Sequence, residues 1–319
     1  MSVFAHPRFH DEDAAREWLE QVYWPNGPIC PKCGEVGRAY KQVDTETHKG
    51  RYRCASPECR KDFTVTTGTV LKSSHIPLRK WVLAFHLMSS SKKGVSAHQL
   101  HRTLEITYRT AWFLAHRLRE AMNVGAGATP MGGEGRIVEA DETYYGPVEE
   151  RRQSKQRGDR PYTKGGPSGV GGKRAIVALV ERGGGVRTFH VAFADKATVA
   201  GIVSDNVARE SRLHTDESKL YTKVGAGFAA HETVTHSAKE YVRGDVHTNS
   251  AEGYFSIFKR GMRGVYQHCR EKHLHRYLAE YDFRYNHRVA LGFDDLARAV
   301  AMVRAAEGKR LTYRQPHVA

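Results

Sequence analysis

Four of the chain's five cysteines lie between Cys30 and Cys59, and their spacing constrains the fold more than any other feature. They read Cys30-Pro-Lys-Cys33 and, after twenty residues, Cys54-Ala-Ser-Pro-Glu-Cys59. Each half is a tight knuckle that turns two thiolates toward one point, with Gly34 and Pro57 at turn positions, so the set suits one tetrahedral ion. The segments Arg38–Val43, Arg51–Arg53 and Lys61–Thr66 alternate as short strands do, which predicts a zinc ribbon over 26–70 rather than a helical finger. Sulfur at every position closes the site. Cys30, Cys33, Cys54 and Cys59 are therefore read as ligands of a structural Zn²⁺ that takes no part in catalysis. Cys269 stands apart and reads as a buried thiol.

On both sides of the ribbon the periodicity is helical. Asp11–Trp24 carries apolar residues at helical spacing behind an acidic start, which predicts a leading helix within 1–25. From Pro77 a stripe of Leu78, Trp81, Val82, Phe85 and Met88 runs to the polar Ser89–Gly94. Ser96 then caps a helix carrying Leu100 and Leu104, Glu105-Ile106-Thr107 makes a turn, and Thr107 caps a longer helix buried through Ala111, Ala115, Leu118 and Met122. This is helix-turn-helix spacing, placing a DNA-binding region over 71–124 and leaving Tyr108, Arg109 and Thr110 exposed where a recognition helix meets base edges. The glycine-rich 125–135 reads as a linker.

The third region, 136–290, is α/β in pattern. Ile137–Tyr145 (IVEADETYY) sets carboxylates into a strand that breaks at Gly146-Pro147, and alternation puts Glu139 and Asp141 on one face, so pattern does not choose between them. The basic Pro147–Gly172, with Arg151, Arg152 and Lys155 among many glycines, cannot bury a core and reads as a mobile insertion that contacts DNA. Lys173–Glu181 and Val186–Ala194 are strands around an Arg182–Gly185 turn, Asp195 caps a helix over Lys196–Glu210, and the next strand delivers Asp216. Ser250 caps a helix with Glu252 in its first turn and Lys259 seven residues on, on the same face. Three strands, a helix, a strand and more helices is the order of a ribonuclease-H-like fold. Oxygen ligands from Asp141, Asp216 and Glu252 suit two Mg²⁺ or Mn²⁺ ions about 3.5–4 Å apart, with Lys259 reaching a phosphate. A last helix is expected over Ala290–Gly308, in a C-terminal segment 291–319 that ends in a polar tail.

The stretches ADET around Asp141, HTDES around Asp216 and HTNSAEGYFSIFKRG from His247 to Gly261 closely resemble the zinc-ribbon-carrying DDE transposases of bacterial insertion sequences. Thirty-five residues separate Asp216 from Glu252, which is similar to that superfamily's DD(35)E spacing. The resemblance implies that Asp141, Asp216 and Glu252 form the catalytic triad and that the reaction is cutting and joining of transposon-end DNA. It also makes Asn249 a further candidate beside the third acid and His247 a phosphate contact. The partners it implies are terminal inverted repeats and target DNA, with a homo-oligomer assembled on them. Charge agrees, since 50 Lys and Arg against 35 Asp and Glu leave +15, which favours a polyanionic partner. No apolar run is long enough to span a membrane, so the expected location is the cytoplasm, on the nucleoid. A zinc-ribbon transcription regulator would leave the three acids unexplained. A plain ribonuclease-H-like nuclease would leave two DNA-binding modules unexplained.

Overall fold

A computed structural model describes residues 3–45, 49–123, 129–149, 154–157, 160–162, 172–238 and 240–312. The chain forms two compact units, Met1–Asn123 with Gly292–Ala319, and Val124–Leu291.

In the first unit, α1 (Glu12–Tyr23) starts at Asp11, whose carboxylate accepts the Ala14 N–H at 2.7 Å. The ribbon is an antiparallel sheet in the order β1 (Ala39–Lys41), β2 (Tyr52–Cys54), β3 (Asp62–Phe63), with strands shorter than the alternation predicts. Its core is too small to close alone and borrows from α1. Trp24 meets Tyr52 and Phe63 edge-on, at 5.2 and 5.7 Å, and the Tyr52 hydroxyl donates to Glu20 at 2.9 Å. Next, α2 (Leu78–Ser90) follows Pro77, which has no side-chain acceptor to offer. Glu12 supplies one from a distance, taking the N–H groups of Leu78 and Arg79 at 2.7 and 3.2 Å. α3 (Ala97–Leu104) and α4 (Tyr108–Met122) start where expected: Ser96 accepts from the Gln99 N–H and Thr107 from the Thr110 N–H. The last helix, Asp295–Arg304, is shorter than Ala290–Gly308 because Asp294 caps it, and it packs on α1 and α2.

The second unit is built on a five-stranded sheet. Its first strand, β4 (Ile137–Pro147), is followed by a small antiparallel pair, β5 (Ser154–Arg157) with β6 (Arg160–Tyr162), inside the segment read as a basic insertion without a core. Then come β7 (Lys173–Glu181), β8 (Val186–Val191), α5 (Lys196–Asn206), β9 (Arg212–Asp216), α6 (Thr222–Gly225) and β10 (Ala230–Val234), with α7 (Asn249–Gly261) and α8 (Leu274–Asn286) closing the unit. The strand order is β10-β9-β4-β7-β8, with β7 antiparallel to β4 and to β8, and β9 parallel to β4 and to β10. This is the ribonuclease-H-like arrangement.

Both faces of the sheet are covered, so β7 reads as a near-continuous apolar run. Ile176, Ala178 and Val180 join Phe255, Phe258 and Leu278 on the α7–α8 face, while Val177 and Leu179 join Val199, Val203 and Leu213 on the other. Val138 and Ala140 belong to the second face, which turns Glu139 and Asp141 toward α7. Several expectations are corrected. α5 stops at Asn206, not Glu210, because the chain there pairs with the supposed linker: Met131 donates to the Asn206 carbonyl at 2.7 Å and accepts from Ala208 at 2.8 Å. β10, whose AHETV sequence shows no apolar alternation, was not expected. Cys269 is half-buried. Among the described residues no helix is long and apolar enough to cross a membrane.

Candidate metal centre and active site

The cysteine spacing does what the sequence requires of it. Cys30 Sγ lies 3.7 Å from Cys59 Sγ, Cys33 Sγ lies 3.6 Å from Cys54 Sγ, and all four sulfurs are within 4.8 Å of one another. Sulfurs at the corners of a tetrahedron of Zn–S bonds stand about 3.8 Å apart, so this set fits zinc. Elemental analysis of purified protein should find one zinc per chain, and Cys30→Ser with Cys54→Ser should remove it and unfold the ribbon. Full retention by that double variant would exclude the site.

At the start of α4, Tyr108 is 45 % exposed and stacks on His98 at 4.3 Å, and Arg109 is exposed. Thr110 is half-buried rather than exposed, and its hydroxyl pairs with that of Thr107 at 2.8 Å. Arg109 and Thr110 line a cleft with Ser74, His75 and Phe113.

The acids come from the middle of β4, the end of β9 and the first turn of α7. Glu139 pairs with His214 in the parallel β4–β9 register, so Asp141 and Asp216 leave neighbouring strands at the same level. Burial pushes the Asp141 carboxyl up to about 7, helped by the charges of Glu142, Asp216 and Glu252. Three carboxylates, from β4, β9 and α7, therefore bear on Asp141. Glu142 points to the other face, where the Tyr221 hydroxyl donates to it at 2.7 Å; burial, and then the Asp216 charge, raise it. Asp216 accepts the Ser218 N–H at 3.0 Å, which fixes the turn after β9. The Lys259 ammonium is lowered by burial and by Arg263 and Lys173, while Asp141 acts to raise it. The acids are more open than the cysteines: among the described residues, only the cysteines form a set of ligand atoms all within 4.8 Å.

Glu139 has a different position from Asp141. Fully buried, it accepts the N–H groups of Ser250 and Ala251 at 2.8 and 3.1 Å and the Ser250 hydroxyl at 2.9 Å, and it is paired with Arg182 at 2.8 Å. It thus caps α7 from the strand that the helix packs on. Ser250 is not the cap that local sequence suggests; it lies inside the first turn, and Thr248, at the cap position, makes no side-chain cap bond. His247 lies beside the same cluster, its Nδ1 accepting from Arg182 at 3.1 Å and from the Asn249 N–H at 3.3 Å.

Residues 132–286 match the ISXO2-like transposase domain and residues 10–62 the transposase zinc-ribbon domain. Over 266 residues, 81% of this chain and 86% of the relative, the sequence is 30% identical to an uncharacterized protein in transposable element ISH50 of Halobacterium salinarum. The chain belongs to the ISXO2-like transposase family. It is a DNA transposase of the zinc-ribbon-carrying branch. Among solved structures, this transposase is similar to a pre-cleavage Mos1 transpososome, with 11% identity, 72% of this chain and 80% of that chain covered, and a TM-score of 0.30. The Mos1 strand transfer complex gives 13%, 72%, 79% and 0.29. Those two similarities are too remote to place any residue.

Of the positions singled out in sequence, Asp216, Glu252 and Lys259 each fall within electrostatic reach of Asp141. Asn249 is exposed in the first turn of α7, one turn before Glu252 leaves the same helix. Arg151 and Arg152 lie outside the described residues, as does the side chain of Lys155. Sequence reasoning missed the capping role of Glu139, the Glu142–Tyr221 pair and the ion pair to Arg182. The available signal was an acid two residues before Asp141 on a strand that alternation buries.

Proposed function

We propose that this transposase cuts and joins DNA at Asp141, Asp216 and Glu252, acting on terminal inverted repeats and then on target DNA. The observation that carries the reading is the lift of the Asp141 carboxyl by burial and by like charges arriving from β4, β9 and α7. Like charges crowded together from two strands and a helix are relieved by a divalent cation, so the residues fit Mg²⁺ or Mn²⁺. Two such ions, when bound, activate the attacking oxygen and stabilise the leaving oxygen of an in-line phosphodiester displacement. The protein's own part is rigidity: two acids come from neighbouring strands and the third from a helix tied down by Glu139. Lys259 holds a phosphate near Asp141, Asn249 stands as a further ligand candidate, and His247 helps hold the start of α7.

In this reading the ribbon (26–70) and the helices of 71–124 bind the element's ends, with Tyr108, Arg109 and Thr110 at base edges. The 136–290 region catalyses, Arg151, Arg152 and Lys155 contact the backbone, and copies assemble on DNA at the nucleoid. The test uses two duplexes, one carrying the element's end and one scrambled. Mg²⁺ should support cleavage of the first, a chelator should stop it, and Arg109→Ala should narrow the preference between the two by about tenfold, as for loss of one base contact. Undiminished cleavage under chelation would end the metal reading, and an unchanged preference would end the recognition-helix reading.

A further inference from the structure

From Lys259 to Arg276 the chain carries six Lys and Arg against one acid, Glu271. The fold makes this run a surface. α7 continues without a break into the turn Met262–Tyr266, so Arg263 sits one turn beyond Lys259. The segment that follows is fastened to the sheet: the Arg174 guanidinium donates to the Cys269 carbonyl at 2.6 Å, and Glu149 and Glu271 each accept the other's backbone N–H at 2.9 Å. Glu149 and Glu271 are thus engaged by backbone, and Glu271 also lies 3.8 Å from His190. Arg263, Arg270 and Lys272 are exposed, and among the described residues none of them joins an ion pair. Lys173 stands at the same edge, opposite Pro147 in the β4–β7 register. Burial, then the charges of Arg276, Lys272, His275 and Arg270, push His273 down to about 4, which shows how closely positive charge converges there.

We infer that Lys173, Arg263, Arg270 and Lys272 form a cationic track that holds the phosphate backbone of duplex DNA, continuing outward from Lys259 and the acids. The partner is DNA read by charge alone, since the track offers ammonium and guanidinium groups and no paired amide that would read a base. It rests on the family assignment and not on the chemistry of the three acids.

The experiment measures binding of full-length protein to a random-sequence duplex and to an element-end duplex, without divalent metal, across a salt series. Arg263→Gln, Arg270→Gln and Lys272→Gln together should reduce the slope of log affinity against log salt by roughly 2 to 3, equally for both duplexes, since each lost phosphate contact removes about 0.9. Lys272→Gln alone should remove about one. The charge-keeping set Arg263→Lys, Arg270→Lys and Lys272→Arg should keep the original slope. An unchanged slope in the triple Gln variant would overturn the track, as would a loss confined to the element end. A charge-keeping set that also loses the slope would assign these residues to packing. Because no metal is present, failure of the track and failure of the acid reading are told apart: Asp141→Asn should bind with the wild-type slope whichever way cleavage behaves.

Discussion

Asp141→Asn should lower strand cleavage and joining by at least roughly 10²–10³-fold while leaving DNA binding near the wild-type level, and Asp216→Asn and Glu252→Gln should do the same. On the proposed function each substitution keeps the shape and removes a charge that would hold a cation, whereas separate surfaces would hold the DNA. Lys259→Ala should be milder, because an ammonium at a phosphate holds no metal. Asn249→Ala is the control for the third position. The Asp141 variant has a second signature that needs no activity. Its carboxyl titrates at about 7 in the folded protein, against an ordinary value of 3.8. Folding therefore favours the protonated form, and metal-free protein loses stability as pH rises between those values. Asn carries no such charge. Asp141→Asn should then melt higher than wild type at pH 8 and lose that advantage at pH 4. Wild-type cleavage should also need less divalent ion as pH rises through 7, since a ligand must shed its proton first. If all three acid variants still cut DNA, the site lies elsewhere. If Asp141→Asn melts no higher at pH 8, its carboxyl is not raised by burial and by the other acids.

How far the chain could be read in advance depended on the range of the interactions involved. The cysteine knuckles, the Thr107 and Ser96 caps and the hairpin around Arg182–Gly185 are local, and each stands within a few residues of where its sequence signal lies. The fold class followed from the succession of β4, β7 and β8, then α5, then β9. What escaped was long-range. α2 and α7 both begin without a side-chain cap of their own, and each is satisfied by a glutamate far away in sequence, Glu12 and Glu139. A helix start with a serine in place reads as self-capped, and nothing local to Ser250 reveals a better acceptor arriving from a strand. β10 escaped for a related reason: its order comes from parallel pairing with β9, and AHETV alone carries no periodic signal. The acids fall between these cases. They stand out in the sequence, but the choice of Glu139 rather than Asp141 to cap α7 shows only in the packing.

That choice leads to the largest stability effect expected in this protein. Glu139→Ala should destabilise the second unit by about 3–5 kcal/mol, the range for breaking a buried ion pair from one side. Three donors of α7, the N–H groups of Ser250 and Ala251 and the Ser250 hydroxyl, lose their acceptor together with the Arg182 guanidinium. Glu139→Gln should cost less, because one amide oxygen still accepts, while its NH₂ is turned toward groups that already donate. Arg182→Ala leaves the carboxylate buried without its cation, so the double variant Glu139→Gln with Arg182→Ala should cost less than the two single changes added together. Urea unfolding of the four proteins measures this cycle. Cleavage then separates holding from chemistry: where Glu139→Gln remains folded, it should bind element-end DNA normally and need more Mg²⁺ for half-maximal cleavage, since Glu252 rides on the helix start that Glu139 fixes. An alanine at 139 that leaves stability within about 1 kcal/mol of wild type would mean that the cap is replaceable by solvent. A glutamine variant that binds Mg²⁺ as well as wild type yet cannot cut would instead return Glu139 to the list of acids that touch the reacting strand.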